Sequence, residues 1–368
     1  MAYTIVHCSD VHLETTFPEL RGGARRRAAL ADALGRIVDL ALERGADALT
    51  VGGDLFEAER AGPQTARFFC EQFARFGRDV FVAPGNHDPY APSSLLAATD
   101  LPSNVRVFGE AAWRAVPLAD GLTLFGFGHT AAEPGRPFRK ARFDRPGVRI
   151  ALVHGSDEER CPPNKRATAP FTVAEIESAG ATLLLTGHYH GGYVVVGGGG
   201  RPVLAYPGSP EPIKFGERGA HGALVVRVDG ARVDVEQVEL ATTRLLDVDC
   251  DLNDASSEPA VLAAVERALA GCGARDYVRL RLTGQPLAGT RVDPHLIDER
   301  LGGALGALDV RDETTAYDYE TIAREPTVRG RAVADLLALA QAGGARGEEA
   351  RHALRYCVAA FEGSEIAP

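Results

Sequence analysis

Ala48-Leu49-Thr50-Val51-Gly52-Gly53-Asp54-Leu55-Phe56-Glu57 runs from a β-rich stretch through two glycines into a carboxylate, with a second carboxylate three positions on. Open α/β sheets place their working side chains just past the carboxyl ends of strands. The same arrangement recurs on both sides of this stretch. Tyr3 to Cys8 leads into Asp10-Val11-His12, and Val80 to Ala83 leads into Gly85-Asn86-His87-Asp88. Arg149 to Val153 leads into His154-Gly155, and Thr182 to Leu185 into Gly187-His188-Tyr189-His190. Leu122 to Phe127 reads as a further strand, and apolar residues at helical spacing over Arg25 to Arg44 and Pro63 to Phe76 read as helices between the first strands. The alternation predicts a layered α/β domain.

Further along, Val194 to Val196, Val203 to Tyr206 and Ala223 to Val228 read as antiparallel strands of a second sheet, joined by glycine-rich turns. After Leu246 the order becomes strand (Leu246 to Leu252), helix (Pro259 to Ala270), strand (Tyr277 to Leu282), short helix (Pro294 to Arg300) and strand (Leu308 to Glu313), a small α+β unit. Val328 to Gln341 and Glu348 to Phe361 read as two helices joined by residues 342–347. The expected divisions are 1–245, 246–325 and 326–368.

With 45% hydrophobic and 24% charged residues, the chain has the profile of a folded globular protein rather than a disordered one. No run of about 18 apolar residues is present, and Met1 to Val6 enters a strand pattern without a signal-like core. The six cysteines are scattered, with no Cys-x-x-Cys pair. These features predict a cytoplasmic protein with no membrane association. The net charge of -10 works against nucleic-acid binding, which draws on Lys and Arg. Any such binding must come from a partner or from local clusters. The clusters are Arg21, Arg25, Arg26 and Arg27; Arg136, Arg139, Lys140 and Arg142; and Lys165 and Arg166. Each reads equally well as solvated surface.

Singly, each strand-end motif is weak; a lone strand-end histidine is more often a hydrogen-bonded structural residue than a ligand. Together they use five of the ten histidines. Imidazole and oxygen donors without thiolate favour Mn, Fe or Zn over Ca or a structural zinc. A carboxylate among them can bridge two ions, and paired ions suit phosphoryl chemistry.

In identity and order, the five motifs resemble those of the calcineurin-like metallophosphoesterases over roughly residues 1 to 240. The resemblance implies a metallophosphoesterase β-sandwich flanked by helices. It places Asp10, His12 and His190 on one metal and Asn86, His154 and His188 on the other, with Asp54 bridging. It implies that His87 faces the substrate, stabilising the transition state or protonating the leaving oxygen. Glu57 stands where many relatives carry an Asp that orients this histidine, so Glu57 is expected at or beside His87; archaeal and eukaryotic break-repair nucleases carry a histidine there. His7 is expected to support the ligands rather than join them, and His129 to line the cleft or lie at the surface. His221, His295 and His352 fall outside the motifs.

Within the family, Tyr206-Pro207-Gly208-Ser209-Pro210-Glu211, Gly53-Asp54-Leu55-Phe56 and Pro84-Gly85-Asn86-His87-Asp88 are similar to the signatures of bacterial break-repair nucleases of the SbcD type. That likeness implies a DNA exonuclease or endonuclease with two divalent ions, Mn first. Its cap would be the α+β unit over the catalytic face, and its partner an SbcC-type coiled-coil ATPase. A homodimer would form through Pro63 to Phe76 and Leu95 to Ala98, and the last two helices would pack on the body or dock on the ATPase. Two alternatives stand beside it: a small-molecule phosphodiesterase or phosphatase, and a catalytically silent scaffold that binds DNA ends or the ATPase.

Overall fold

The computed structural model describes residues 2–17, 22–130, 135–161, 167–253, 255–286, 290–315 and 317–363. Arg21, Lys165 and Arg166 of the basic clusters lie outside the described residues. The chain divides into two compact units, Met1–Leu245 and Leu246–Pro368.

The first unit carries strands β1 (Tyr3–Cys8), β2 (Ala48–Val51), β3 (Asp79–Val82), β4 (Val105–Val107), β5 (Arg114–Ala119) and β6 (Leu122–Gly126). β7 (Val148–His154), β8 (Leu183–Gly187), β9 (Tyr193–Val196), β10 (Pro202–Tyr206), β11 (Gly222–Asp229) and β12 (Arg232–Glu239) follow. Its helices are α1 (Gly23–Glu43), α2 (Pro63–Phe76), α3 (Leu95–Ala98) and α4 (Val173–Ala179). The strands form two six-stranded sheets, ordered β12-β11-β1-β2-β3-β4 and β5-β6-β7-β8-β10-β9. β1 to β4 run parallel, as do β6, β7, β8 and β10, so within each sheet these strands end at one edge.

Alternation along the strands builds the layers. Val6, Cys8, Leu49, Val51, Val80 and Val82 turn outward onto Leu34 and Ile37 of α1 and Phe69 and Phe73 of α2. Ile5, Ala48 and Phe81 turn inward and meet Leu124, Ile150, Leu152 and Leu183 of the second sheet. The far face of that sheet, with Phe125, Val153 and Leu184, is covered by Ile176 and Ala179 of α4 and by Phe138, Phe143 and Phe171. The result is a mixed α/β sandwich with helices on its outer faces. α2 starts on Pro63 and ends at Gly77, whose φ of 70° is the left-handed conformation that favours glycine at a helix end. β4, β5 and β12 are not foreseen from the sequence: β4 has three residues, β5 is an edge strand holding Pro117, and β12 is an edge strand of alternating charged residues and valines or glutamine.

In the second unit, β13 (Arg244–Asp251), β14 (Asp276–Thr283) and β15 (Ala307–Asp312) form a three-stranded sheet in that order. With α5 (Glu258–Ala268) and α6 (Pro294–Leu301) it encloses Leu252, Val261, Val265, Val278, Leu280 and Ile297. A separate apolar cluster joins α7 (Tyr319–Ala323), α8 (Val328–Ala342) and α9 (Gly344–Phe361) through Tyr319, Ile322, Val333, Leu354 and Val358. The six-residue joint expected between the last two helices shrinks to Gly343, whose φ of 73° reverses the chain, and residues 344–347 are helical. Among the described residues no helix is long and apolar enough to cross a membrane.

Candidate metal centre

The five motifs sit at the ends of β1, β2, β3, β7 and β8. Their backbone is unusual. Of the six non-glycine residues with positive φ among the described residues, Asp10 (53°), His12 (50°), Asp54 (52°) and His188 (110°) belong to them. Such conformations persist only where the surroundings hold them, and they concentrate at functional sites. Here the holding groups are visible. Asp88 accepts from the amides of Asp54 (3.1 Å), Leu55 (2.8 Å) and Gly85 (2.6 Å), while Asp54 Oδ1 accepts from the His87 amide at 2.8 Å. Asp10 accepts from the His188 amide at 3.0 Å. A side chain at Gly85 would collide with Asp54 Oδ1, and one at Gly53 would come within 2.7 Å of His154 Nδ1, so glycine lets the loops close.

Closed in this way, the loops bring the side chains together in two groups, Asp10 with His12 and His190, and Asp54 with His154 and His188, the donor atoms of each lying within 4.8 Å of one another. Asp54 Oδ2 stands between them, 3.7 Å from His12 Nε2 and 3.2 Å from His154 Nε2. Asn86 joins the second group, its Oδ1 3.1 Å from His154 Nε2. A third group of His12, Glu57 and His87 shares His12 with the first.

The imidazoles are aimed by their Nδ1 atoms. His12 Nδ1 lies 2.7 Å from Glu57 Oε1, His154 Nδ1 2.8 Å from the Gly52 carbonyl, and His190 Nδ1 2.6 Å from Glu217 Oε1. A proton on each Nδ1 leaves Nε2 free to ligate. The other oxygen of Glu57 stands 2.9 Å from Nδ1 of His87, beside which it is expected, and its bond to His12 goes beyond what the sequence suggests, so one carboxylate spans both imidazoles. Glu217, which the sequence does not single out, also accepts the Ile213 amide at 2.8 Å. It lies on a loop far from His190 in the chain and belongs to no motif.

Burial works against charge on His154, yet the Asp54 charge beside it, with Asp10 and the Gly52 carbonyl, holds its pKa up to about 9. On His188 burial wins, with the His154 charge adding to it, and pulls its pKa down to about 4.

His7 is buried and bonded to Thr50 Oγ1 (2.9 Å) and the Thr186 carbonyl (3.2 Å), outside all three groups. His129 is buried behind the centre rather than at the surface, its Nε2 2.7 Å from the His154 carbonyl. His221 bonds the Ser209 carbonyl, whereas His295 and His352 are exposed. The Tyr206 to Glu211 segment has structural work: Tyr206 Oη donates to the Gly155 carbonyl (2.6 Å) and accepts the Asp157 amide (3.0 Å), and the Ser209 amide donates to the His190 carbonyl. Glu211 is buried with Arg26.

Two members of the basic clusters are therefore spent. Arg26 is fully buried, bonded to Thr243 and the Pro212 carbonyl beside Glu211. Arg136 is forked between Glu158 (2.6 Å) and Glu175 (2.8 Å). In both cases the compensating acid is distant in sequence, which is why the runs read as free cations.

The donors fit a pair of divalent cations. His12 Nε2 is buried, has no hydrogen-bond partner among the described residues and faces Asp10 and Asp54, an arrangement costly unless an electrophile completes it. Imidazole and oxygen donors without thiolate suit such ions.

A family model for the calcineurin-like phosphoesterases matches residues 3–192, more than half of the chain, and the chain belongs to that family. The family's members are metal-dependent phosphoester hydrolases with a dinuclear metal centre, and the two donor groups are candidates for it. The chain is 23% identical over 304 residues to the uncharacterized metallophosphoesterase YhaO of Bacillus subtilis, covering 77% of this chain and 70% of that protein. It is 27% identical over 272 residues to the DNA double-strand break repair protein Mre11 of Methanopyrus kandleri, covering 66% of this chain and 58% of the relative, less than two thirds of its length. Among solved structures, TT1561 of Thermus thermophilus aligns with a TM-score of 0.39 at 14% identity, over 64% of this chain and 99% of that one.

Proposed function

We propose that this hydrolase cleaves phosphodiester bonds in DNA, as an exonuclease or endonuclease in DNA repair. The observation that carries this reading is the exposure of Asn86 and His87 beside ligands that are otherwise buried or half-buried. Such a rim admits a phosphodiester in the middle of a long chain. The likeness to a break-repair protein supports DNA as that chain.

Asp10, His12 and His190 would hold one divalent ion and Asn86, His154 and His188 the other, with Asp54 between them. Manganese is the first choice for these donors, with iron or zinc next. Once bound, the ions supply Lewis acidity, which activates a water and neutralises phosphoryl charge. The chain supplies the rest. His87, exposed and held at Nδ1 by Glu57, would use Nε2 to stabilise the transition state or protonate the leaving oxygen. Because the same carboxylate orients His12, Glu57 fixes the proton donor relative to the metal ligands.

An SbcC-type coiled-coil ATPase is the proposed partner. Leu339, Tyr356 and Phe361 on α8 and α9 are about half exposed, as a docking surface requires. A cavity of about 560 Å3 along α2 and α3, lined by Ala66, Cys70, Leu95 and Ala98, supports a homodimer there.

The test is Mn-dependent degradation of end-labelled single- and double-stranded DNA, with His87→Ala and Asp54→Asn as controls. Cleavage by the wild type that is lost in both variants supports the reading. A second reading, a phosphodiesterase or phosphatase acting on small molecules, is favoured by the net charge of -10 and by the neutralised Arg26 and Arg136. A wild type inert on DNA, with or without an ATPase partner, that hydrolyses a chromogenic phosphodiester would establish it.

A further inference from the structure

Residues 111–113, Phe127, residues 136–137 and residues 139–141 line an open cavity of about 340 Å3 in the first unit, apart from the candidate metal centre. Its wall is aromatic. Trp113 is half-buried and fixed: Nε1 donates to the Pro137 carbonyl at 2.9 Å, and the ring lies 5.3 Å from that of Phe127 and 4.9 Å from that of Phe143. Arg136, Arg139 and Lys140 also line the cavity.

The charges there are unequal. Arg136 is engaged by Glu158 and Glu175, and Glu110 on the neighbouring loop is taken by Arg114. Arg139 and Lys140 are exposed side by side, and no acceptor for either side chain is found among the described residues. In a chain of net charge -10, two adjacent cations with no acceptor among the described residues, on a cavity lined also by Trp113 and Phe127, complement an anion that carries a flat apolar group.

The location suits a substrate of the neighbouring centre. Phe127, in the cavity wall, directly follows β6, and two residues later His129 bonds the carbonyl of His154. β6 and β7 are parallel, so the cavity lies toward the edge of the second sheet that presents His154 and His188.

We propose that this cavity is a docking subsite for single-stranded nucleic acid, with a base against Trp113 and flanking phosphates on Arg139 and Lys140. The inference rests on the DNA reading above and adds a place where the strand is held away from the scissile bond. Bases stack on aromatic side chains with little sequence preference, while Lys and Arg carry the salt-dependent part of the affinity.

Trp113 is the only tryptophan, so the slot carries its own reporter. The full chain in EDTA, where cleavage is silent, is titrated with a short oligothymidylate while tryptophan fluorescence and the anisotropy of end-labelled strand are followed. Saturable quenching is expected to track the anisotropy. Arg139→Glu/Lys140→Glu is expected to weaken binding by about tenfold or more and to flatten the slope of log K against log salt by roughly 1.4, or about 0.7 for each phosphate that is no longer neutralised. The variant should still hydrolyse a chromogenic phosphodiester with Mn like the wild type, which shows that it is folded. Binding without quenching, or a variant with unchanged affinity and salt slope, overturns the subsite and leaves the DNA reading standing. A wild type that binds no strand but hydrolyses the chromogenic ester removes both.

Discussion

On the outer face of the second unit's sheet, acid and base meet and cancel: Arg279 with Asp247 at 2.6 Å, Arg281 with Asp249 at 2.8 Å, Arg311 with Asp309 at 3.1 Å. At the strand ends of the first unit, acids and imidazoles are also adjacent, but apart from the exposed His87 the groups are buried or half-buried, the backbone at Asp10, His12, Asp54 and His188 is held at positive φ, and His12 Nε2 has no hydrogen-bond partner among the described residues. Charge density alone therefore does not mark a functional site. What distinguishes the two regions is whether the groups satisfy one another in water or are held short of doing so where water is excluded.

The contrast can be broken from either side. The largest effect belongs to Asp54, the oxygen donor between the two groups: Asp54→Asn is expected to reduce hydrolysis to background and to lower metal content by elemental analysis, and retained metal would remove Asp54 from the bridging position. Next is His87→Gln, expected to lower kcat by about 100- to 10,000-fold with metal content unchanged. A fall in metal content instead would assign His87 to the ligands, with the third group of His12, Glu57 and His87 as their site. Glu217→Ala should weaken Mn binding by about 10- to 100-fold in calorimetry, with activity recovering at saturating metal, since His190 keeps its place in the chain but loses its anchor. The smallest effect is expected on the sheet face of the second unit, where Arg281→Ala should leave both melting temperature and activity unchanged. A clear loss of activity there would show that the paired face has work beyond folding.

The sequence announces those groups whose position follows from strand periodicity. Asp10, Asp54, Asn86, His154 and His188 can be placed because each sits within a few residues of a recognisable apolar run, and Glu57 because it lies three residues from Asp54 on the same loop. Glu217 is illegible, since its loop comes near His190 only through tertiary folding. Arg26 reads as a surface cation for the same reason: its place in a run of arginines is a local fact, whereas Glu211 beside it is not. The edge strands β4, β5 and β12 are hidden for another reason. Being short, proline-bearing or half charged, they lack the apolar run that marks a central strand.

The hydrogen bond from the His188 amide to Asp10 closes across 178 positions of chain, and that from His7 to the Thr186 carbonyl across 179. Contacts of such span form late, because the loop between them must first be ordered. At roughly 5 to 20 residues per second, a ribosome needs about 10 to 40 seconds to deliver the second half of this centre after the first. Asp10 and His12 therefore wait, already synthesised, for partners not yet made.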